Sequence, residues 1–179
     1  MTGFFSSYFK LLDEKICSIK FEELVAVSDL VVQTNKKSGK IIIIGNGGSA
    51  AIASHASIDF TKAANIRAIN FNESSLLTCL SNDYGYEHWA EKAIEFYADK
   101  ADLVILISSS GKSKNIINAA FKVKEMGMPL VTLSGFSTDN KLKTIGDINL
   151  WVDSSQYNII ETVHQTWILS VIDHLIHKA

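Results

Sequence analysis

Strand-sized apolar runs alternate with helix-spaced stretches along most of this chain, and that alternation leaves few folds open. The runs fall at residues 40–44, 67–71, 103–108, 130–134 and 148–152, with helical stretches at 49–61, 75–80, 88–98 and 115–126. The pattern predicts a parallel sheet covered on both faces, because parallel neighbours need a crossover long enough to hold a helix. Ahead of the first run, Phe9, Leu12, Ile16 and Ile19, then Leu24, Val27, Leu30 and Val31, recur at helical spacing. Residues 4–36 therefore predict one or two amphipathic helices, and residues 159–177 predict a last apolar one. The lone proline, Pro129, stands where a strand begins, and no repeat or linker divides the 179 residues. A single domain, 1–179, is expected, with a helical segment 1–37 leading into an α/β core 38–179.

Two of the strand-to-helix turns carry chemistry. Gly45-Asn46-Gly47-Gly48-Ser49-Ala50-Ala51 follows the first run, and Ser108-Ser109-Ser110-Gly111-Lys112-Ser113-Lys114-Asn115 follows the third. A helix start leaves backbone N–H groups without partners and carries partial positive charge, so an anion settles there. Glycine lets the chain turn and lets a ligand approach the backbone, and serine adds hydroxyl donors. In an open parallel sheet, ligands bind beyond the carboxyl ends of the strands, where both loops lie. Two such loops in one sheet point to a phosphorylated ligand.

Other glycine-loop chemistries fit less well. Gly45, Gly47 and Ala50 match a loose dinucleotide fingerprint, but the second strand ends Ile69-Asn70-Phe71-Asn72, without the acidic tip that would hold a ribose. Gly111-Lys112-Ser113 resembles the end of a nucleotide P-loop, yet the earlier glycine of that motif would fall at Leu106, inside a strand.

A net charge of −2 argues against a nucleic-acid partner, since phosphate-backbone affinity rests on clustered Lys and Arg. The two cysteines, Cys17 and Cys79, lack metal-ligand or CxxC spacing, so idle or buried thiols in a reducing compartment are expected. No apolar run is longer than a strand, and Lys10, Asp13 and Glu14 interrupt the N-terminus before a signal-peptide core forms. A cytoplasmic protein without a membrane partner is expected.

Taken with Ser81-Asn82-Asp83-Tyr84-Gly85, the two loops form three ordered motifs that resemble the sugar isomerase (SIS) domain, specifically its phosphoheptose isomerase branch. The resemblance covers about residues 38–177. It implies a five-stranded parallel sheet between helices, a three-layer, Rossmann-like arrangement, assembled as a homotetramer with sites at subunit contacts. It implies conversion of sedoheptulose 7-phosphate to D-glycero-D-manno-heptose 7-phosphate. It places the phosphate on Ser108, Ser109, Ser110 and Ser113, and the sugar against Asn46, Gly47, Ser49 and Asp83.

Aldose–ketose interconversion moves a proton between adjacent carbons through an enediol, which calls for a base near the carbon and a group polarising the carbonyl. His55 and Asp59 are four residues apart, on one face of a helix. The resemblance gives the second position the role of base, and both positions the role of zinc ligands in metal-bearing members. There the family has Glu, one methylene longer than Asp59. On the last helix Glu161 matches a metal- and substrate-binding position, so His55, Asp59 and Glu161 are the implied metal set. The family's catalytic histidine falls at Leu169. Gln165 lies one turn after Glu161 and one turn before Leu169 on the same stripe, where it can orient a hydroxyl or lend an oxygen ligand. His164 points to the other side and reads as a packed histidine. Two functions stay open: an isomerase of ketose phosphates using Asp59 and Gln165, or a non-catalytic module that binds a sugar phosphate or a protein partner.

Overall fold

The structure is a computed structural model and describes residues 2–178. Two helices, α1 (Thr2–Ile16) and α2 (Phe21–Lys36), precede the first strand, β1 (Ile41–Gly45). Then follow α3 (Gly48–Lys62), β2 (Ala68–Ile69), α4 (Ser74–Tyr84), α5 (Trp89–Tyr97), β3 (Leu103–Ser108), α6 (Lys114–Glu125) and β4 (Leu130–Ser134). A 3₁₀ turn (Leu142–Thr144), β5 (Ile148–Trp151) and α7 (Tyr157–Lys178) complete the order. The strands form one sheet in the order β2-β1-β3-β4-β5, every neighbouring pair parallel.

The sheet is buried on both faces, which is why its strands are continuous apolar runs. All five residues of β1 and all six of β3 are buried. Their side chains alternate with the pleat. Ile41, Ile43, Leu103, Ile105 and Ile107 pack with Val27, Val31, Ile52, Phe60, Val163 and Trp167 of α2, α3 and α7. Ile42, Ile44, Val104 and Leu106 pack with Leu80, Trp89, Ile94, Ile116 and Val123 of α4, α5 and α6. At the amino end of the sheet, buried Asp102 accepts hydrogen bonds from the Lys40 and Asp99 backbone N–H groups, both at 2.8 Å, and from Lys40 Nζ at 2.6 Å.

The layered architecture matches the sequence expectation, and the differences are local. Strand β2 is two residues instead of the expected 67–71, because the next side chains turn to α3. Asn70 Nδ2 donates to Ser57 Oγ at 2.9 Å, and Asn72 Nδ2 donates to the Ala50 carbonyl at 2.7 Å and to Ser54 Oγ at 2.8 Å. Helix α4 extends four residues past the expected 75–80. Cys17 and Cys79 are exposed rather than buried. Trp89 and Trp167 fill the core, while half-buried Trp151 carries Lys143 Nζ 4.2 Å above its ring.

The chain leaves β1 outward to β2 and then returns across it to β3, so the strand order reverses between β1 and β3. Gly45 pairs in register with Ile107, and the loops that follow are therefore neighbours at the carboxyl end of the sheet. This is the switch-point crevice where doubly wound sheets hold ligands.

Candidate functional site

The two loops enclose a cleft of about 120 Å³ lined by Asn46, Ser49, Ile107, Ser108, Ser109, Ser110, Ser113, Tyr157 and Glu161. The second loop presents hydroxyls along a tight turn. Ser108 ends β3, the chain turns through Ser109 and Ser110, and Ser113 stands at the N-terminus of α6. The Gly111 N–H closes the turn on the Ser108 carbonyl at 2.9 Å. Gly111 has φ +63° and packs against the Asn140 side chain, so both its conformation and its surroundings exclude a Cβ. Ser108 Oγ donates to Ser113 Oγ at 3.2 Å, and Ser110 Oγ accepts from the Lys112 N–H at 3.3 Å.

The first loop is a different kind of surface. Gly47, at φ +54°, precedes α3, and Gly48 opens it without side-chain bulk. The space a Cβ would take on Gly48 is filled by the Glu161 carboxylate, whose Oε1 also lies 3.5 Å from Ser109 Oγ. Glu161 carries the only charge among the residues lining the cleft. The helix start at α3 therefore faces a carboxylate directly, while the second loop meets the same carboxylate only at Ser109 and otherwise presents hydroxyls. The two loops that look equivalent in sequence are unequal in their surroundings, the carboxylate lying closest to the first.

Asn46 is held between the loops. It exchanges two amide hydrogen bonds with buried Asn115, at 3.0 and 2.9 Å, and accepts a third from the Tyr86 hydroxyl at 3.1 Å. Neither Tyr86 nor Tyr157 has a spacing that marks it in sequence; only the fold brings Tyr157 to the cleft and Tyr86 to Asn46 at its edge. Gly47 and Asp83 do not line the cleft. Asp83 sits exposed on α4, bonded to Asn82 Nδ2 at 2.9 Å and approached by Cys79 Sγ at 3.7 Å.

The titratable pair lies along α3 beyond the cleft. His55 is seven residues past Gly48, about 10 Å along the helix axis at 1.5 Å per residue, and Asp59 is one turn further. His55 Nε2 and Asp59 Oδ2 are 3.1 Å apart, with side chains 48% and 35% exposed. From α7, Gln165 Nε2 reaches His55 Nδ1 at 3.1 Å. Leu169, next on the same stripe, is partly buried against the core and is itself unable to transfer a proton.

His164 faces inward from α7. It is fully buried, with Nε2 donating to the Ser134 carbonyl at 3.1 Å, and burial pulls its pKa down from 6.5 to about 4. It is a neutral strut between α7 and the end of β4. His88 is bound at 2.8 Å to Glu91 on its own helix.

The residues His55, Asp59 and Glu161 do not fit a metal ion as they stand. Both imidazole nitrogens of His55 are engaged, by Asp59 and Gln165, and Glu161 is turned to Ser109 and Gly48. Among the described residues no group of three His, Cys, Asp or Glu side chains is placed to hold a metal.

A hydroxyl-lined cleft at the switch point of a doubly wound sheet, with a carboxylate–imidazole pair beyond it, defines a phosphosugar-handling α/β domain. Comparisons with known proteins narrow the class. Residues 4–135 match the family model of the SIS domain. The chain is 36% identical over 159 residues to a phosphoheptose isomerase of Helicobacter pylori strain P12, covering 83% of this chain and 82% of that protein. It is 35% identical over 156 residues to the phosphoheptose isomerase of Aliarcobacter butzleri, covering 84% and 82%. Among solved structures, phosphoheptose isomerase GmhA from Neisseria gonorrhoeae superposes with a TM-score of 0.89 at 28% identity, over 97% of this chain and 96% of that one. The chain belongs to the SIS domain family, in its phosphoheptose isomerase branch.

Proposed function

We propose that this protein is a sugar-phosphate isomerase that interconverts sedoheptulose 7-phosphate and D-glycero-D-manno-heptose 7-phosphate through an enediol. The observation that carries the reading is the polarity of the cleft: an uncharged serine cradle at the start of α6, with polar and acidic groups continuing along α3 and α7. The phosphate rests on Ser108, Ser109, Ser110, Ser113 and the N-terminus of α6, which offers unpaired N–H groups. Asn46 and Ser49 donate to the sugar oxygens, and Glu161 accepts from its hydroxyls, because a carboxylate repelled by the phosphate is well matched to a polyol. The chain of the sugar then lies toward His55, and Asp59 takes the proton from the carbon beside the carbonyl. Asp59, exchanging in part with solvent, delivers a proton to the neighbouring carbon while a proton leaves the hydroxyl oxygen there and one joins the former carbonyl oxygen, so the sugar gains and loses the same number of protons.

The protein acts in the cytoplasm as a homo-oligomer. Phe4, Phe5 and Phe9 of α1 stand 60–69% exposed, a patch of the kind a second copy covers.

The test is purified protein with sedoheptulose 7-phosphate in deuterated water, followed by NMR. Isomerisation with deuterium entering the sugar supports the reading. Leu169, which puts an apolar side chain where the family carries its histidine, favours a second reading, a binding module without chemistry. Under it the ligand would raise thermal stability by linkage while no deuterium entered the sugar.

A further inference from the structure

The polar bridge between α3 and α7 specifies a proton arrangement. Asp59 Oδ2 faces His55 Nε2 at 3.1 Å, and Gln165 Nε2 faces His55 Nδ1 at 3.1 Å. An ionised carboxylate can only accept a hydrogen bond, so the single proton of a neutral His55 ring sits on Nε2. Nδ1 is then a bare lone pair, and the group opposite must donate. The amide nitrogen of Gln165 is such a donor, whereas the reverse amide orientation would set an oxygen against that lone pair. One tautomer satisfies both contacts: Gln165 N–H to Nδ1, and Nε2–H to Asp59 Oδ2.

We propose that Gln165 is a positioning residue: it locks His55 in the Nε2–H tautomer, through which the Asp59 carboxylate is held by one oxygen and keeps the other free, and it leaves His55 no lone pair for a metal ion. The catalytic half of this rests on the reading of Asp59 as the base. Without the amide donor, the Nδ1–H tautomer becomes available and places the bare Nε2 against the carboxylate, two acceptors facing each other. His55 and Asp59 are too exposed for packing to hold them, so the hydrogen bonds set their orientation.

Two variants of the full chain separate this role from space filling. Gln165→Met keeps the length and removes the donor; Gln165→Glu keeps the shape and turns the donor into an acceptor. In mildly alkaline buffer, the ¹⁵N signals of labelled His55 are expected to show the Nε2–H tautomer alone in the wild type, a mixture of both tautomers in Gln165→Met, where only the carboxylate still selects, and a protonated Nδ1 in Gln165→Glu. Turnover of sedoheptulose 7-phosphate is expected to fall about 10- to 100-fold with KM little changed, the Glu variant being no better than Met. Stoichiometric zinc is expected to leave the wild-type His55 signals in place. An Nδ1–H tautomer in the wild type, a Gln165→Glu protein as active as wild type, or zinc displacing the His55 signals would each overturn the proposal. If the wild type proves inactive on the sugar, the isomerase reading fails, while the tautomer and zinc spectra still decide the role of Gln165.

Discussion

His164 makes the stability of this protein depend on pH in a calculable way. Its folded pKa is about 4 against 6.5 for the free side chain, because the ring is fully buried and its only partner is the Ser134 carbonyl. The unfolded chain therefore binds the extra proton first. Stability from this group is fully present above pH 6.5, falls as pH drops toward 4, and changes no further below that. At about 1.36 kcal/mol per pH unit the whole effect is about 3 kcal/mol, of which about 2 kcal/mol is lost by about pH 5. Other groups titrate over the same range, so the measurement is a difference. His164→Gln keeps an N–H for the Ser134 carbonyl and removes the titration. Urea unfolding is followed by the fluorescence of buried Trp89 and Trp167, at about pH 7.5 and about pH 5 and at one protein concentration. Wild type is expected to lose about 2 kcal/mol more than the variant between the two conditions. Equal losses in both proteins would refute the assignment of the proton to His164.

Three further outcomes follow from the site. Asp59→Asn keeps the size of the side chain but removes the base, so turnover should fall 10²- to 10⁴-fold with an unchanged circular dichroism spectrum; near-normal turnover would exclude Asp59. Ser109→Ala removes one hydroxyl from the cradle, and KM for the sugar phosphate should rise about tenfold, equivalent to about 1.4 kcal/mol, with kcat nearly kept. Gly111→Ala forces a side chain into a φ +63° position against Asn140, and thermal unfolding should report a loss of about 2 kcal/mol or more, together with weaker phosphate binding.

The layers of this fold were legible because strand and helix periodicities differ, and because strands buried on both faces are continuous apolar runs. The serine cradle was legible for a related reason: residues 108–113 lie consecutively on one turn, so spacing along the chain is spacing in the site. The inequality of the two loops was not legible. It depends on Glu161, which lies 113 residues beyond Gly48 in sequence and reaches it only because α7 packs on α3. Tyr86 and Asn115 were missed as partners of Asn46 for the same reason, since a reciprocal amide pair leaves no pattern in either segment. Asp83 shows the converse. Its motif is local and recognisable, yet its hydrogen bonds stay on its own helix.

The Glu161 carboxylate touches both loops, filling the space beside Gly48 and lying 3.5 Å from Ser109 Oγ, so it sets the one charged spot among the residues that line the cleft. Under the proposed function the sugar's hydroxyls would meet this carboxylate, and a phosphoryl group placed against it would be repelled. At an effective dielectric of about 20, two unit charges in contact at about 4 Å repel by on the order of 4 kcal/mol. Under that reading the side chain would favour an uncharged polyol over a second charged group at this end of the cleft.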